Sequence, residues 1–252
     1  MPTRRHWLGC MGALALARPA HAAPLRAVGT QFARVFEGGD GAPPHGLAVD
    51  VLNIVFGADL HCEFVPWPRA QLMLEQGEAD ILVGPYRTPE RETRMLFSVR
   101  PLFSDTILWY ARRDEEATCG ADMQPLLPLP IAAVRGWAYG SHFERARPLF
   151  RQLTWVPSVE AGLQMLARRR VTLFAGNDRD CEPVLQKLGL EAEITRCPMP
   201  LDVLHSHMAF GLSWAGQQLA QRYDAAFEAW LREPAAAEVY RRWNIRRPST
   251  AA

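Results

Sequence analysis

The stretch that decides the fold begins with Gly46-Leu47-Ala48-Val49-Asp50-Val51-Leu52. It continues through Phe64-Val65-Pro66-Trp67-Pro68-Arg69 and Gly77-Glu78-Ala79-Asp80-Ile81-Leu82-Val83-Gly84. It ends with Thr88-Pro89-Glu90-Arg91 and Phe97-Ser98. Apolar residues recur at helical spacing from Leu47 to Leu60, which predicts a helix. A second helix is predicted to start at Pro68 and to stop at Gly77. Ile81–Val83 is an apolar run typical of a buried parallel strand. Strands that alternate with helices in this way predict a layered α/β domain.

A second α/β series is predicted after the polar segment Arg112–Glu116. Its short strands are expected at Pro130–Val134, Val171–Ala175 and His207–Leu212. Ser158 is predicted to cap a helix that starts at Val159, because a serine side chain can accept a hydrogen bond from a free backbone N–H. Ser213 is expected to open a final helix whose apolar stripe faces the core.

The order and spacing of the segments quoted first resemble those of the family 3 extracytoplasmic solute-binding proteins, which include the polar amino acid receptors of ABC importers. The resemblance implies a two-lobed periplasmic binding protein fold of type II, in which two α/β lobes are joined by two crossing hinge strands. The crossings are expected at Thr106–Arg113 and Ser206–Ser213. Lobe 1 would cover 23–110, lobe 2 would cover 111–206, and 207–252 would return to lobe 1 and form the C-terminal helices.

The same resemblance implies the function. A periplasmic receptor of this kind closes on a small polar or anionic solute, an amino acid or a related carboxylate, and delivers it to an ABC permease. It performs no chemistry and needs no cofactor. Two alternatives stay open: an exported enzyme on the same fold, similar to the cyclohexadienyl dehydratases, and a ligand-sensing subunit of a membrane kinase. A cleft glutamate or aspartate placed as a general acid would favour the enzyme.

Arg91 is the first candidate for ligand binding. In amino acid receptors of the family, the arginine of the Thr-x-x-Arg turn holds the α-carboxylate of the ligand, and a guanidinium suits this role because it donates two parallel hydrogen bonds. The alternative is a solvated arginine paired with Glu90 or Glu92. Gly84 and Tyr86 are expected to face the cleft. However, Gly84-Pro85-Tyr86-Arg87 replaces the small hydroxyl residues usual there with a phenol and the additional cation of Arg87, so the ligand need not be an amino acid.

Further candidates lie on both predicted lobes. Trp67 and Arg69 match a Pro-Trp-x-Arg element that suits a flat or anionic ligand, although the tryptophan could instead seal its helix onto the sheet. The remaining candidates are Phe32 after the first strand, Trp137, Tyr139 and Ser141 at a strand-to-helix turn, and Asn177 or Asp178. The last two fall near the position where the family binds an ammonium group, and Asp178 could equally be a capping turn residue.

Composition and the first residues limit the possible partners. The chain has 28 basic and 27 acidic residues, which provides no electrostatic field for binding nucleic acid.

Residues 1–22 are predicted to be a signal peptide, with basic Arg4 and Arg5, an apolar run too short to span a membrane, and cleavage before Ala23. Sec and Tat export both stay open. The mature protein is expected to be a periplasmic monomer that is not embedded in the membrane.

Export permits disulfide bonds among the cysteines that remain after cleavage. Cys181–Cys197 is the expected bridge, because both residues are predicted to lie in the same half of the fold; buried free thiols are the alternative. No pair of cysteines has the spacing of a zinc site, so no metal is expected. The sequence also lacks the G-x-S-x-G, Walker and G-x-G-x-x-G motifs.

Overall fold

The computed structural model describes residues 24–39, 41–57, 60–118 and 122–248. The predicted signal peptide and its cleavage site lie outside these residues. The strands are β1 (Leu25–Gly29), β2 (Glu37–Gly39), β3 (Ala42–His45), β4 (Leu60–Phe64), β5 (Ile81–Tyr86), β6 (Leu96–Phe97), β7 (Phe103–Arg112), β8 (Pro130–Val134), β9 (Gln152–Val156), β10 (Leu173–Asn177) and β11 (Ile194–Phe210). The α-helices are α1 (Leu47–Phe56), α2 (Trp67–Glu75), α3 (Pro89–Glu92), α4 (Ser141–Ala146), α5 (Val159–Ala167), α6 (Asp178–Leu188), α7 (Trp214–Leu231) and α8 (Pro234–Arg242).

The main sheet has the strand order β4-β1-β5-β11-β7-β10-β8-β9, and β6 pairs with β11 beside this path. Strands β4, β1 and β5 are parallel, as are β10, β8 and β9. The long antiparallel pair β7 and β11 joins the two parallel groups. Strand β11 pairs with β7 from Ile194 to Ser206 and with β5 from Ser206 to Phe210. This pair is therefore the connection between the two halves.

Separate apolar cores confirm two α/β halves. The first core contains β1, β5, α1 and α2 together with the returning helices α7 and α8. The second half has two cores, because alternate residues of its strands point to opposite faces of the sheet. Trp109 and Ala133 belong to one of these faces, whereas Tyr110 and Ala132 belong to the other. We call the half around the first core lobe 1 and the other half lobe 2.

The predicted helix starts are confirmed where a polar side chain caps them. Ser158 accepts a hydrogen bond from Ala161 N, and Ser213 accepts one from Gly216 N. The helix predicted from Leu47 to Leu60 ends earlier, at Phe56, because Gly57 follows with a φ of 79°, where a side chain would be strained.

The second crossing strand differs from its prediction. Strand β11 begins at Ile194, twelve positions before the expected Ser206, and ends at Phe210 rather than Ser213. Its first part contains prolines and polar residues, so it lacks the apolar pattern that predicts a strand. It is a strand nevertheless, because β7 supplies the hydrogen-bonding partner. The first crossing, β7, starts at Phe103 instead of Thr106. Among the helices in the described part of the chain, none combines the length and hydrophobicity of a membrane span.

The predicted Cys181–Cys197 bridge is wrong. Cys181 is a free, fully buried thiol in the first turn of α6. Cys197 is in a disulfide bond, whose partner lies outside the described residues. The two side chains belong to the cores on opposite faces of the lobe 2 sheet, so the backbone of the sheet separates the two sulfur atoms.

Candidate functional site

The candidate site is a cavity between the lobes, beyond the carboxyl ends of the strands, where open α/β sheets usually bind ligands. Its size is about 20 Å³, room for about one water molecule. The lobes are therefore in contact around this cavity. The cavity is lined by Phe32, Trp67, Gly84, Tyr86, Arg91, Trp137, Ala138, Asn177 and Arg179.

Arg91 is positioned by the short helix α3. Thr88 caps this helix, because its Oγ1 accepts a hydrogen bond from Arg91 N at 3.3 Å. The guanidinium donates to the carbonyl oxygen of Tyr86 at 2.9 Å and to that of Gly136 in lobe 2 at 3.0 Å. In the part of the chain that the structure describes, no carboxylate forms an ion pair with Arg91, which is 7% exposed. The site thus contains a buried cation whose partners are neutral carbonyl groups.

Burial lowers the pKa of Arg91 from the ordinary value of an arginine to about 10. The guanidinium therefore remains charged at neutral pH, although its desolvation is unfavourable. A carboxylate would compensate for that cost and would match the fork of donors better than two separate carbonyl groups.

Three aromatic rings form the wall beside Arg91. The Trp67 ring lies 5.6 Å from the guanidinium carbon of Arg91, and its Nε1 donates to Gly136 O at 3.1 Å. Phe32 packs edge-to-face against Trp67 with ring centroids 5.5 Å apart, and the centroid of Trp137 is 6.5 Å from that of Phe32. Gly84 leaves room for Phe32, because a Cβ atom there would lie only 3.2 Å from that ring.

A second guanidinium, that of Arg179, also lines the cavity. Its Nε donates to Asp105 Oδ1 at 3.0 Å and its Nη2 to Asp105 Oδ2 at 2.7 Å, which is a bidentate pair. It also donates to Asp180 from Nη1 at 2.9 Å and from Nη2 at 3.3 Å. All three side chains are less than a tenth exposed. Arg179 therefore joins the first turn of α6 to the crossing strand β7.

The same ionic group extends into lobe 1. Arg179 Nη1 donates to Ala33 O at 2.8 Å, and Ala33 N donates to Asp180 Oδ1 at 3.0 Å. The Tyr86 hydroxyl donates to Asp105 Oδ2 at 2.6 Å and accepts from Asn177 Nδ2 at 3.2 Å. These bonds hold the two lobes together around the cavity.

The electrostatics follow from burial and from the ion pairs. Burial lowers the pKa of Arg179, but Asp180 and Asp105 outweigh it and raise that pKa above its ordinary value. Burial raises the pKa of Asp180, and Arg179 opposes the increase. The pKa of Tyr86 is raised well above its usual range by burial and by the neighbouring Asp105. The phenol is therefore a neutral donor at physiological pH.

Seven of the twelve candidates from the sequence line the cavity. They are Phe32, Trp67, Gly84, Tyr86, Arg91, Trp137 and Asn177. Asn177 has two roles, since its Oδ1 accepts from Asp180 N as the cap of α6 while its amide donates to Tyr86.

The structure places the other five candidates away from this cavity. Tyr139 is fully buried in the core of lobe 2, where its hydroxyl accepts from Val134 N. Ser141 is exposed, and its N–H donates to Asp202 Oδ2. Arg69 and Arg87 are exposed and pair with Glu78 and Glu92, respectively. Asp178 is half-buried, is the first residue of α6 and accepts from Arg179 N, and it does not line the cavity.

Sequence analysis did not identify Arg179, Asp105 and Asp180 as members of the site. Arg179 and Asp180 directly follow the candidates Asn177 and Asp178. The sequence alone does not fix which of these neighbouring residues after the strand belong to the site. Asp105 had no signal, because it is a single acidic residue at the start of a strand. Only the pairing of distant elements brings its carboxylate to Arg179.

The fold is shared with solved structures, although neither a protein-family model nor a curated protein matches the sequence. A histidine kinase sensor domain with similarity to periplasmic binding proteins is 17% identical with a TM-score of 0.75, over 87% of this chain and 95% of that one. A substrate-binding protein of an ABC uptake transporter from Streptococcus pneumoniae, with bound histidine, is 13% identical with a TM-score of 0.75. The match covers 90% of this chain and 94% of that one. An ancestral arginine-binding protein bound to arginine is 15% identical with a TM-score of 0.72, and the match covers 88% of this chain and 98% of that one.

These neighbours are binding proteins and a sensor domain rather than enzymes. Their similarity spans nearly the whole described chain, and it includes both lobes and the crossing strands. The chain therefore has the two-lobed fold of the periplasmic binding proteins, as its sequence predicts.

Proposed function

We propose that this protein is an exported solute receptor that closes its lobes around a small molecule with a carboxylate group. The observation that carries the proposal is the Arg91 guanidinium, which is buried in the cleft and, among the described residues, donates hydrogen bonds only to the carbonyl oxygens of Tyr86 and Gly136. A buried charge of this kind is costly unless an opposite charge compensates for it. A solute carboxylate between the lobes would supply that charge.

The binding cycle follows from the two halves and their connection. The lobes would rotate apart on β7 and β11, which would break the bonds of Trp67 and Arg91 to Gly136 O and widen the cleft. A carboxylate would then bind Arg91, and closure would place the solute between Trp67 and Trp137. Closure requires only that the solute has a higher affinity for the closed form than for the open form.

The proposal extends to the location and the partner. The predicted signal peptide over residues 1–22 supports export to the periplasm, and the solved receptor with bound histidine belongs to an ABC uptake transporter. By analogy, an ABC permease would accept the solute from this protein. We place the lobe boundaries near residues 105 and 206, because Phe103 belongs to the core of lobe 1 and Ile107 to a core of lobe 2.

A thermal-shift screen tests the proposal. The full chain is mixed with amino acids and organic acids one at a time, and the melting temperature is recorded. A ligand at 100 times its Kd adds about 2.7 kcal/mol to the free energy of unfolding. We expect at least one carboxylate to stabilise the wild type and to have no effect on Arg91→Ala. If no carboxylate stabilises the wild type, or if the same one stabilises both proteins, the proposal is wrong.

A sensor function is the second candidate, because one of the neighbours is the sensor domain of a histidine kinase. Cells that lack this protein distinguish the two functions once a solute is known. A transport receptor is required for uptake of the radiolabelled solute, whereas a sensor is required for the phosphorylation response of a kinase. Enzymatic use of the cleft has less support, since Asp105 does not line the cavity and Asp180 accepts hydrogen bonds from Ala33 N, Asn177 and Arg179.

A further inference from the structure

Two guanidinium groups and no carboxylate line the cavity in the described part of the chain. From this we infer that the solute is a small carboxylate that has no ammonium or guanidinium group. The inference rests on the proposed function, and it narrows the class of solute that the site accepts. It separates this protein from several of its structural neighbours, which have histidine or arginine bound.

The cation of an amino acid would need an acceptor in the cleft, and the two buried carboxylates are already in use. Asp105 Oδ1 accepts from Arg179 Nε, and Asp105 Oδ2 accepts from Arg179 Nη2 and from the Tyr86 hydroxyl. Asp180 Oδ1 accepts from Ala33 N and Arg179 Nη1, and Asp180 Oδ2 accepts from Asn177 Nδ2 and Arg179 Nη2. A carboxylate has about four acceptor sites. Asp180 therefore uses all of its sites, and Asp105 uses three of them.

Arg179 fills the role that the cationic part of an amino acid would otherwise have. Its planar guanidinium binds Asp105 in bidentate fashion and also reaches Asp180, so it covers both carboxylates on the side of the cavity. The two carboxylates outnumber this one guanidinium. The excess negative charge does not face the cavity, however, because it is directed towards the donors Ala33 N, Tyr86 Oη and Asn177 Nδ2.

A solute with its own cation would therefore be penalised twice. Its ammonium group would lose water and would meet no carboxylate among the described residues that line the cavity, which is costly for a buried charge. It would also lie near Arg91 and Arg179, which have the same sign of charge. A carboxylate without a cation avoids both costs, and its apolar part can pack against Phe32, Trp67 and Trp137.

Matched pairs of solutes test the inference on the wild-type protein by calorimetry. The members of each pair differ by one ammonium group: isocaproate and L-leucine, hydrocinnamate and L-phenylalanine, glutarate and L-glutamate. We expect the member without the ammonium group to bind about tenfold more tightly or better in the pair that fits. Tighter binding of the amino acid in every pair that binds would overturn the inference and leave the proposed function intact, provided that Arg91→Ala abolishes that binding.

Two variants of Arg179 locate the cause of the preference. Arg179→Met frees Asp105 and Asp180, so we expect the amino acid of the pair to become the tighter ligand by about tenfold. Arg179→Lys keeps a cation at this position and should retain the wild-type preference. Circular dichroism verifies that each variant is folded; if Arg179→Met does not fold, the wild-type comparison still decides. An unchanged preference in a folded Arg179→Met would contradict the inference. Absence of binding by every pair and by the wider panel would contradict the proposed function itself.

Discussion

The guanidinium of Arg91 in lobe 1 donates a hydrogen bond of 3.0 Å to the carbonyl oxygen of Gly136 in lobe 2. Gly136 lies on the turn after β8 with a φ of 77°, a conformation that glycine adopts without strain. The proposed carboxylate grip is therefore also part of the contact between the lobes. Solute binding and lobe closure would depend on the same side chain.

Replacement of Arg91 should abolish solute binding without unfolding the protein. Loss of one partner of a buried, hydrogen-bonded charge pair costs about 2–5 kcal/mol, so we expect Arg91→Ala to lower the affinity for a carboxylate by a factor of about thirty or more. Arg91→Lys should restore part of it, because an ammonium group lacks the planar fork. Calorimetry measures both. Arg69→Ala and Arg87→Ala are matched controls, since both arginines are exposed and paired with glutamates; a similar loss in either would place the anion site elsewhere.

Trp67→Phe should favour the open form. The substitution keeps an aromatic wall but removes the Nε1 donor to Gly136 O. A hydrogen bond contributes about 0.5–1.5 kcal/mol, so the affinity should fall by a factor of about two to ten. Small-angle scattering should show a larger average radius of gyration. Trp214→Phe is the control, because this tryptophan is exposed at the start of α7 and does not line the cavity. An unchanged scattering profile and affinity in Trp67→Phe would contradict this role.

The disulfide of Cys197 should stabilise lobe 2, and Cys181 should have no part in it. We expect Cys197→Ser to lower the free energy of unfolding by about 2–5 kcal/mol under oxidising conditions. Cys181→Ala should leave the disulfide intact. Peptide mapping without reduction checks both statements. A peptide that links Cys181 to Cys197 would contradict the structure.

The stability of the protein should decrease in mild acid because of His207. Burial lowers the pKa of this histidine from 6.5 to about 4, even though its Nδ1 donates to Ser98 O at 2.8 Å. Between these pKa values the unfolded chain binds a proton that the folded protein excludes, so stability rises with pH. The contribution is fully present above pH 6.5 and is lost as the pH falls towards 4, by up to about 3 kcal/mol.

Denaturant unfolding at several pH values between these limits measures the effect. His207→Gln should flatten the dependence of the unfolding free energy on pH. His205→Gln is the matched control on the same strand, since His205 is exposed and bonded to Ser104, and it should keep the wild-type slope. Equal slopes in wild type and His207→Gln would show that another group causes the loss.

Local pattern was sufficient for much of the fold. The alternation of strands and helices from Gly46 to Ser98 depends on residues close in sequence, and so do the caps at Ser158 and Ser213. The turn that presents Arg91 is also local, because Thr88, Pro89 and Arg91 lie within one helical turn. In each case the hydrogen bond or the apolar face that forms the element is encoded within a few positions.

Longer-range placement was harder to derive from the sequence. Tyr139 and Trp137 are two residues apart on one turn, yet Tyr139 is buried in the core of lobe 2 and Trp137 reaches the cavity. Cys181 and Cys197 lie in the same lobe, but opposite faces of its sheet separate them. The faces on which these side chains fall depend on strand register and helix orientation, which spacing alone does not encode.

The sequence by itself determined the α/β class, the helix caps and the turn that presents Arg91, because short-range periodicity and capping chemistry specify them. The two-lobed arrangement was implied by the resemblance to the solute-binding proteins. Only the tertiary structure decided what faces that arginine. Arg179 and Asp105 are 74 positions apart, and they meet because the antiparallel pairing of β7 with β10 brings the start of α6 to the crossing strand. The cationic lining of the cavity, and with it the inferred class of solute, is a consequence of that long-range register.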